Sequence, residues 1–188
     1  MIDRLTRKRT VLAVILTAAF ITLISGSRQW VSGSVVDAVL GASALRAAGS
    51  DVAPGALAAA LVGLAAAVAA ATSGPVVRVL AACSALMAAA LGASVIIVVL
   101  ADPAGALDRL AAAGAGRSGG FATHGQAGSW AWVALSAMLV MGLGALGALV
   151  GGPRWRGLSS KYESGEPVSE HGSDWDRLSR GEDPTAGH

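Results

Sequence analysis

The sequence predicts an all-α membrane protein: a four-transmembrane-helix bundle with short outer loops and a largely disordered cytoplasmic tail. Charge distribution supports this, since residues 11–26, 54–73, 79–101 and 129–151 contain no Asp, Glu, Lys or Arg, although these make up 14% of the chain. Length supports it too, because about 20 apolar residues at 1.5 Å each cross a roughly 30 Å hydrocarbon core as a helix. Only helices or closed barrels satisfy their backbone polar groups there.

Three segments follow from this pattern along the 188 residues. A basic cytoplasmic N-terminus covers residues 1–10, the transmembrane domain covers 11–151, and a cytoplasmic tail with short motifs covers 152–188. Beside four spans, the chain has no room for a second globular domain. We predict the spans at about 11–26, 54–73, 76–101 and 129–151.

The first span has an alternative interpretation as a cleaved signal peptide, because basic residues precede an apolar run. No Ala-x-Ala cleavage site follows that run, however. The segment from Thr10 to Trp30 is long enough to cross the bilayer, and Trp30 ends it where an interfacial anchor belongs. We therefore expect the span to be retained.

The distribution of Lys and Arg predicts the orientation, because short basic flanks stay on the cytoplasmic side. With both termini in the cytoplasm, ten basic residues lie inside and only Arg28, Arg46, Arg109 and Arg117 lie outside. This predicts a multi-pass plasma-membrane protein with both termini cytoplasmic. The predicted membrane-interface anchors are Trp30, Trp130, Trp132, Trp155 and Arg78.

The first outer loop, residues 27–53, mixes valines with glycines. Its pattern fits a short strand pair or a loose helix about equally, and we favour a small hairpin.

On the opposite side of the membrane, the segment Ser73-Gly74-Pro75 breaks the helix and forces an antiparallel connection between the second and third spans. Arg78 lies one turn beyond it. We expect this side chain to snorkel to the cytoplasmic surface in a structural role rather than to bind a substrate.

The second outer loop opens with Asp102 and Pro103, a capping residue followed by proline at the first helical position. This predicts a short helix, and Leu107, Leu110 and Ala111 share one face of it. We expect that face to lie on the outer membrane surface. The glycine-rich segment 114–120 should be mobile.

Small residues recur at every fourth position in three of the spans. Such stripes let helices approach closely in a membrane, although an alanine-rich chain also produces them by composition alone. Gly147 and Gly151 form a GxxxG pair, which fits either helix packing within the bundle or a homodimer. The stripes are Ala59, Gly63, Ala67 and Ala71; Ala81, Ala85, Ala89 and Ala93; and Gly147 and Gly151.

The spans carry few groups that could do chemistry. All three histidines lie outside them, which argues against a proton relay. Cys83 is the only cysteine, and we expect it to act as a small packing residue. Hydroxyl groups could line a polar path, but they more often bond a preceding backbone carbonyl. We predict no catalytic residues, cofactor, metal or nucleic-acid partner. The hydroxyl-bearing residues are Thr17, Thr22, Thr72, Ser84, Ser94 and Ser136.

The tail contains two islands of aromatic and charged residues, the first at 155–163 and the second at 174–185. In the second island, Ser173 can cap a short helix on which Trp175 and Leu178 share a face. That face could dock into a partner's groove or on the membrane, whereas the alternative is a floppy tail with an incidental tryptophan. The candidate partner-binding residues are Trp155, Tyr162, Trp175, Leu178, Glu182 and Asp183.

Several motifs resemble one known family. They are Gln29-Trp30-Val31, residues 49–55, Trp130-Ala131-Trp132, Trp155 with residues 159–163, Trp175-Asp176-Arg177-Leu178 and residues 181–185. With them the chain resembles the actinobacterial tryptophan-associated transmembrane proteins, also called Trp biosynthesis-associated membrane proteins. Lys161 and Ser179 depart mildly from that pattern. The resemblance implies a plasma-membrane location and a genomic setting among tryptophan-synthesis genes, but no established activity.

The leading hypothesis is a non-enzymatic membrane protein whose tail binds a soluble partner at the inner membrane face, such as an enzyme of tryptophan biosynthesis. The alternative is a small carrier or exporter of tryptophan or a related aromatic compound, in which a homo-oligomer passes an apolar ring. A third interpretation is a structural subunit of a larger membrane assembly.

Overall fold

The computed structural model describes residues 8–37, 41–115 and 122–152, and the elements below belong to these ranges. Four long helices alternate with shorter elements that lie at one end of the molecule. In chain order the elements are α1 (Lys8–Gly26), β1 (Gln29–Asp37), β2 (Gly41–Ala48), α2 (Gly49–Val52), α3 (Pro54–Thr72), α4 (Pro75–Ala101), α5 (Pro103–Ala115), β3 (Ala122–Ala127) and α6 (Ser129–Gly151).

The helices α1, α3, α4 and α6 are each long and apolar enough to cross a membrane, which confirms the predicted four-span architecture. The predicted limits agree closely, although α1 begins at Lys8, three residues before the uncharged stretch. Large apolar side chains cover the outside of these helices; Leu143, for example, is 67% exposed. Alanine and glycine fill most of the inside. Lipid explains this distribution, because hydrocarbon does not penalise exposed aliphatic groups while small residues allow close helix packing.

The four long helices form a ring in which α1 packs on α3 and α6, and α4 packs on α3 and α6. The predicted stripes face the inside, since Ala59, Ala67 and the four alanines of the third span are all buried. Close approach requires glycine at some positions. A Cβ added to Gly63 would collide with Met141 Sδ, and one added to Gly92 would lie 2.8 Å from Met138 Sδ. Methionines of α6 thus fill the space that the glycines of α3 and α4 leave.

Gly147, the first residue of the GxxxG pair, lies against α1, since a Cβ added there would be 3.4 Å from Val11 Cγ2. Gly151, the second residue of the pair, is buried. Gly144, outside the pair, also packs on α1, since a Cβ added there would be 2.8 Å from Ile15 Cγ1. Both glycines of the pair therefore lie within the bundle. Cys83 differs from its predicted role, because it is exposed on the outside of α4 rather than packed between helices.

A three-stranded antiparallel sheet of order β2-β1-β3 lies at one end of the bundle, here called the sheet end. The β1–β2 hairpin confirms the favoured interpretation of the first outer loop. Strand β3 was not predicted. It pairs with the distant strand β1, and Ser32 lies opposite Gln126. Its sequence, Ala122–Ala127, is short and lacks an apolar alternation that would reveal a strand.

A β-bulge at the start of β1 buries two consecutive side chains. The register shifts between Gln29 and Val31, so Trp30 and Val31 are both completely buried. Bulges re-aim side chains in this way. The Trp30 indole Nε1 donates to the Ser25 carbonyl at 2.8 Å, and Gly49 lies against the ring. Trp30 is thus a core residue of the protein, whereas the sequence predicted a membrane-interface anchor at this position.

Helix α5 begins where the sequence predicted, and the Gly105 amide donates to Asp102 Oδ1 at 2.8 Å. The surface that its apolar face covers is different from the predicted one. Leu107 is fully buried, and a Cβ added to Gly33 of β1 would lie 2.8 Å from its Cδ1. The helix packs on strands β1 and β3 of the sheet. Of the segment expected to be mobile, Gly114 and Ala115 end α5, and the remainder lies outside the described residues.

Candidate functional site at the Arg78 end of the bundle

Four helix ends meet opposite the sheet, at what is here called the Arg78 end. The chain reverses at Ser73 and Gly74, after α3 and before Pro75 at the first position of α4. Because the helices are antiparallel, the end of α3 and the end of α6 lie beside the starts of α1 and α4. The carbonyl groups of the last helical turns have no partners within their helices.

Arg78, in the first turn of α4, supplies donors to these carbonyls. Its guanidinium donates through Nη1 to the Gly152 carbonyl at 2.9 Å and through Nη2 to the Ser73 carbonyl at 3.1 Å. A longer contact of 3.4 Å joins Nε to the Ala70 carbonyl. The ends of α3 and α6 carry partial negative charge, so the cation is also favoured electrostatically there.

Lys8 provides a second cation at the same end. Its Nζ donates to the Ala71 carbonyl at 2.7 Å and so ties the start of α1 to the last turn of α3. No separate sequence signal indicated this contact, because Lys8 is one of several basic residues before the first predicted span. Its position directly before the apolar run is the signal that could have drawn attention to it.

The structure places Arg78 among the helix ends. The side chain is only 2% exposed, so the surrounding helix ends enclose its guanidinium. The hydrogen bonds give it a role in holding α3, α4 and α6 together. Gly152 is the first residue of the predicted tail, and Arg78 therefore binds the chain at the point where the tail begins.

The hydroxyl groups within the spans bond as predicted in four cases. Thr22 donates to the Ala18 carbonyl, Thr72 to that of Val68, Ser94 to that of Leu91 and Ser136 to that of Trp132. Each acceptor lies three or four residues earlier on the same helix. These groups are thereby satisfied within their own helix rather than across a polar path.

The remaining predicted site residues fall into two groups. Trp130 and Trp132 lie in the first turn of α6 at the sheet end, and Trp132 is 57% exposed. The Arg28 guanidinium lies 5.5 Å from the centre of the Trp130 ring, within cation–π distance. The tail residues lie outside the described part of the chain: Trp155, Tyr162, Trp175, Leu178, Glu182 and Asp183.

Comparison with known protein families matches residues 11–185 to the family described as tryptophan-associated transmembrane protein. The match covers the four predicted spans, the two stretches that form the sheet end (residues 27–53 and 102–128) and nearly the whole tail. No match was found among curated proteins or among solved structures.

Proposed function

Because the chain belongs to the family of tryptophan-associated transmembrane proteins, we propose that it is a non-enzymatic plasma-membrane protein that presents its C-terminal tail to a soluble protein of tryptophan biosynthesis. The observation that carries this proposal is the bond between Arg78 and Gly152. It holds the root of the tail on the bundle. A binding segment whose root is held at the helix ends is presented beside the membrane surface, where a soluble partner can reach it.

The proposed orientation places the Arg78 end and both termini in the cytoplasm. Lys8 and Arg9 lie at that end of α1, and Arg4 and Arg7 precede them in the sequence. Cations next to a span favour the cytoplasmic side. The tail would then reach soluble cytoplasmic proteins directly.

The proposed binding segment is the second island of the tail, around Trp175 and Leu178. Tryptophan is enriched among residues that dominate binding energy, since its large ring buries much apolar area. Acidic residues at Glu182 and Asp183 would flank the contact. The absence of a catalytic motif from the sequence supports the non-enzymatic part of the proposal.

The test uses the full chain in detergent, immobilised and mixed with each purified soluble enzyme of tryptophan biosynthesis in turn. We expect one enzyme to bind, and we expect Trp175→Ala to weaken that binding about ten-fold, as loss of an interface hot spot does. Trp132→Ala, a matched change on the exposed surface of α6, should bind like the wild type.

Equal binding of the enzyme by the two variants would overturn the proposal, as would a failure of the immobilised wild-type chain to retain any of the enzymes.

The second measurement is the uptake or efflux of labelled tryptophan in cells with and without the gene. A flux that depends on the gene would replace the proposal with the carrier hypothesis.

A further inference from the structure

The sheet has one face that α5 covers and one that it leaves open. Gly33 of β1 and Gly125 of β3 lie on the covered face. A Cβ added to Gly33 would be 2.8 Å from Leu107 Cδ1, and one added to Gly125 would be 2.6 Å from the Ala104 amide nitrogen. Successive side chains of a strand point to opposite faces, so the residues on either side of these glycines point away from α5.

The strand register places five polar side chains together on this open face. Ser32 of β1 lies opposite Arg46 of β2 and Gln126 of β3, and Ser34 of β1 lies opposite His124 of β3. The two serines are half-buried, whereas Arg46, His124 and Gln126 are exposed. Short side chains on the central strand therefore form the floor of a trough, and longer side chains on the two outer strands form its walls.

A surface cavity of about 400 Å³ lies in this trough. Ser32, Ser34, His124 and Gln126 line it, and its volume is within the range of small-molecule sites. Arg46 lies beside the cavity, on the other side of Ser32. Opposite Cβ atoms on neighbouring strands are about 5 Å apart, less than the length of an arginine side chain, so the guanidinium can reach over Ser32.

The charge of the open face favours an anionic ligand. Arg46 is positively charged, and none of the outward-pointing side chains in the described parts of the three strands is acidic. Asp51, five residues further along the chain, binds the Ala48 amide at 3.3 Å and the Ser50 hydroxyl at 3.3 Å. A cationic ligand would meet Arg46 in the trough without a carboxylate to offset the repulsion.

The hydrogen-bonding groups favour one kind of anion. A guanidinium binds a carboxylate through two parallel hydrogen bonds, and the two single charges balance, whereas a phosphate group carries about two negative charges. The hydroxyl groups of Ser32 and Ser34 and the amide of Gln126 both donate and accept. Such groups complement the hydroxyl groups of a ligand, which also do both.

We infer that the trough binds one small hydroxylated carboxylic acid of the sugar-acid class. Its carboxylate binds Arg46, and its hydroxyl groups bind Ser34, His124 and Gln126. The inference is independent of the proposed function of the tail, because the trough lies at the other end of the bundle. In the proposed orientation it opens to the outside of the cell.

The test is an NMR titration of the full chain in detergent micelles, with gluconate as the probe. We expect saturable shifts of the side-chain signals of His124 and Gln126. Gluconamide, in which an uncharged amide replaces the carboxylate, is the matched ligand and should bind at least ten-fold more weakly. Inorganic phosphate should displace gluconate only at a higher concentration than that of gluconate.

Three variants test the assigned side chains. Arg46→Gln should raise the Kd for gluconate about ten-fold, as loss of a charge-assisted hydrogen bond does, and Arg46→Lys should bind more tightly than Arg46→Gln. Ser34→Leu should abolish binding by filling the trough. Arg109→Gln is the matched control, since Arg109 is exposed on α5, on the other side of the sheet, and it should leave the Kd unchanged.

The inference would be overturned if gluconate produced no saturable shift, or if gluconamide bound equally well. Displacement of gluconate by a lower concentration of phosphate would also overturn it, because the trough would then be a phosphate site. Equal weakening by Arg46→Gln and Arg109→Gln would show only a general effect of surface charge. Arg46→Gln changes an exposed residue and tests the carboxylate contact even if Ser34→Leu fails to fold.

Discussion

The Arg78 guanidinium donates through Nη1 to the carbonyl of Gly152 at 2.9 Å, although the two residues are 74 positions apart in the chain. This contact joins two of the helices at one end, because Arg78 lies in the first turn of α4 and Gly152 follows α6. The same side chain donates to Ser73 after α3. One buried cation thus joins three helix ends, and the orphan carbonyls stabilise it in return.

Replacing Arg78 tests its role in joining the helices. We expect Arg78→Met to lower the free energy of unfolding by about 2–4 kcal/mol, because the carbonyls of Ser73 and Gly152 lose charged donors in a buried site. Arg78→Lys should fall between this variant and the wild type, since an ammonium group cannot reproduce the forked geometry of the guanidinium. Thermal unfolding of the purified protein in detergent measures the difference. Arg9→Met is the control with an exposed arginine, and equal melting temperatures for the two methionine variants would contradict the prediction.

Gly63 tests how closely α3 and α6 approach. Gly63→Ala should destabilise the bundle by about 1–3 kcal/mol, because the new Cβ collides with Met141 Sδ in a packed interior. Met141→Ala in the same chain should recover part of this loss, and the double-mutant cycle should show a favourable coupling. Unfolding in detergent is again the measurement.

Gly55→Ala is the control for this change on the same helix. Its new Cβ would lie 3.6 Å from Val95 Cγ2, an ordinary contact. We expect its stability to equal or exceed that of the wild type, since alanine favours helix over glycine by about 1 kcal/mol. Similar destabilisation by the Gly55 and Gly63 changes would show that the effect does not come from the contact with Met141.

Trp30 tests whether the sheet end depends on one buried indole. Trp30→Phe removes the donor to the Ser25 carbonyl and leaves space beside Gly49, so we expect a loss of about 1–3 kcal/mol. Trp132→Phe changes an exposed ring and should shift stability by less than about 0.5 kcal/mol. Chemical or thermal unfolding compares the two variants. A larger effect at Trp132 than at Trp30 would contradict the burial seen in the structure.

Cysteine labelling tests the proposed orientation. In a Cys83→Ala background, Gln126→Cys at the exposed sheet end should react with a membrane-impermeant maleimide in intact cells. Arg9→Cys, at the opposite end, should react only after the cells are permeabilised. The reverse pattern would place the tail outside the cell and would also remove the basis for a cytoplasmic partner.

Much of the architecture was predictable because membrane spans depend on local properties of the chain. The absence of charge marked all four spans, and the Asp102-Pro103 pair marked the start of α5. The stripe containing Ala81 and Ala85 indicated a packing face. Each of these signals involves residues close in sequence, where helical geometry alone determines which side chains are neighbours.

The errors and omissions involve contacts between distant segments. Cys83 illustrates one cause, because a small uncharged residue in a span fits the lipid-facing and the inward-facing side equally well. Strand β3 illustrates another, since its polar residues form a strand through pairing with β1 rather than through their own propensity. For the candidate site, the sequence identified Arg78 as structural but could not identify its acceptors.

The positions of the four spans can be read from the amino-acid order alone, because the free-energy cost of placing charged groups in hydrocarbon acts on each segment separately. Three features depend instead on the folded chain: the burial of Trp30 at a bulged strand, the packing of α5 on the sheet, and the bond from Arg78 to the root of the tail. Those features depend on which helix ends and strands become neighbours, and packing of the whole chain settles that choice.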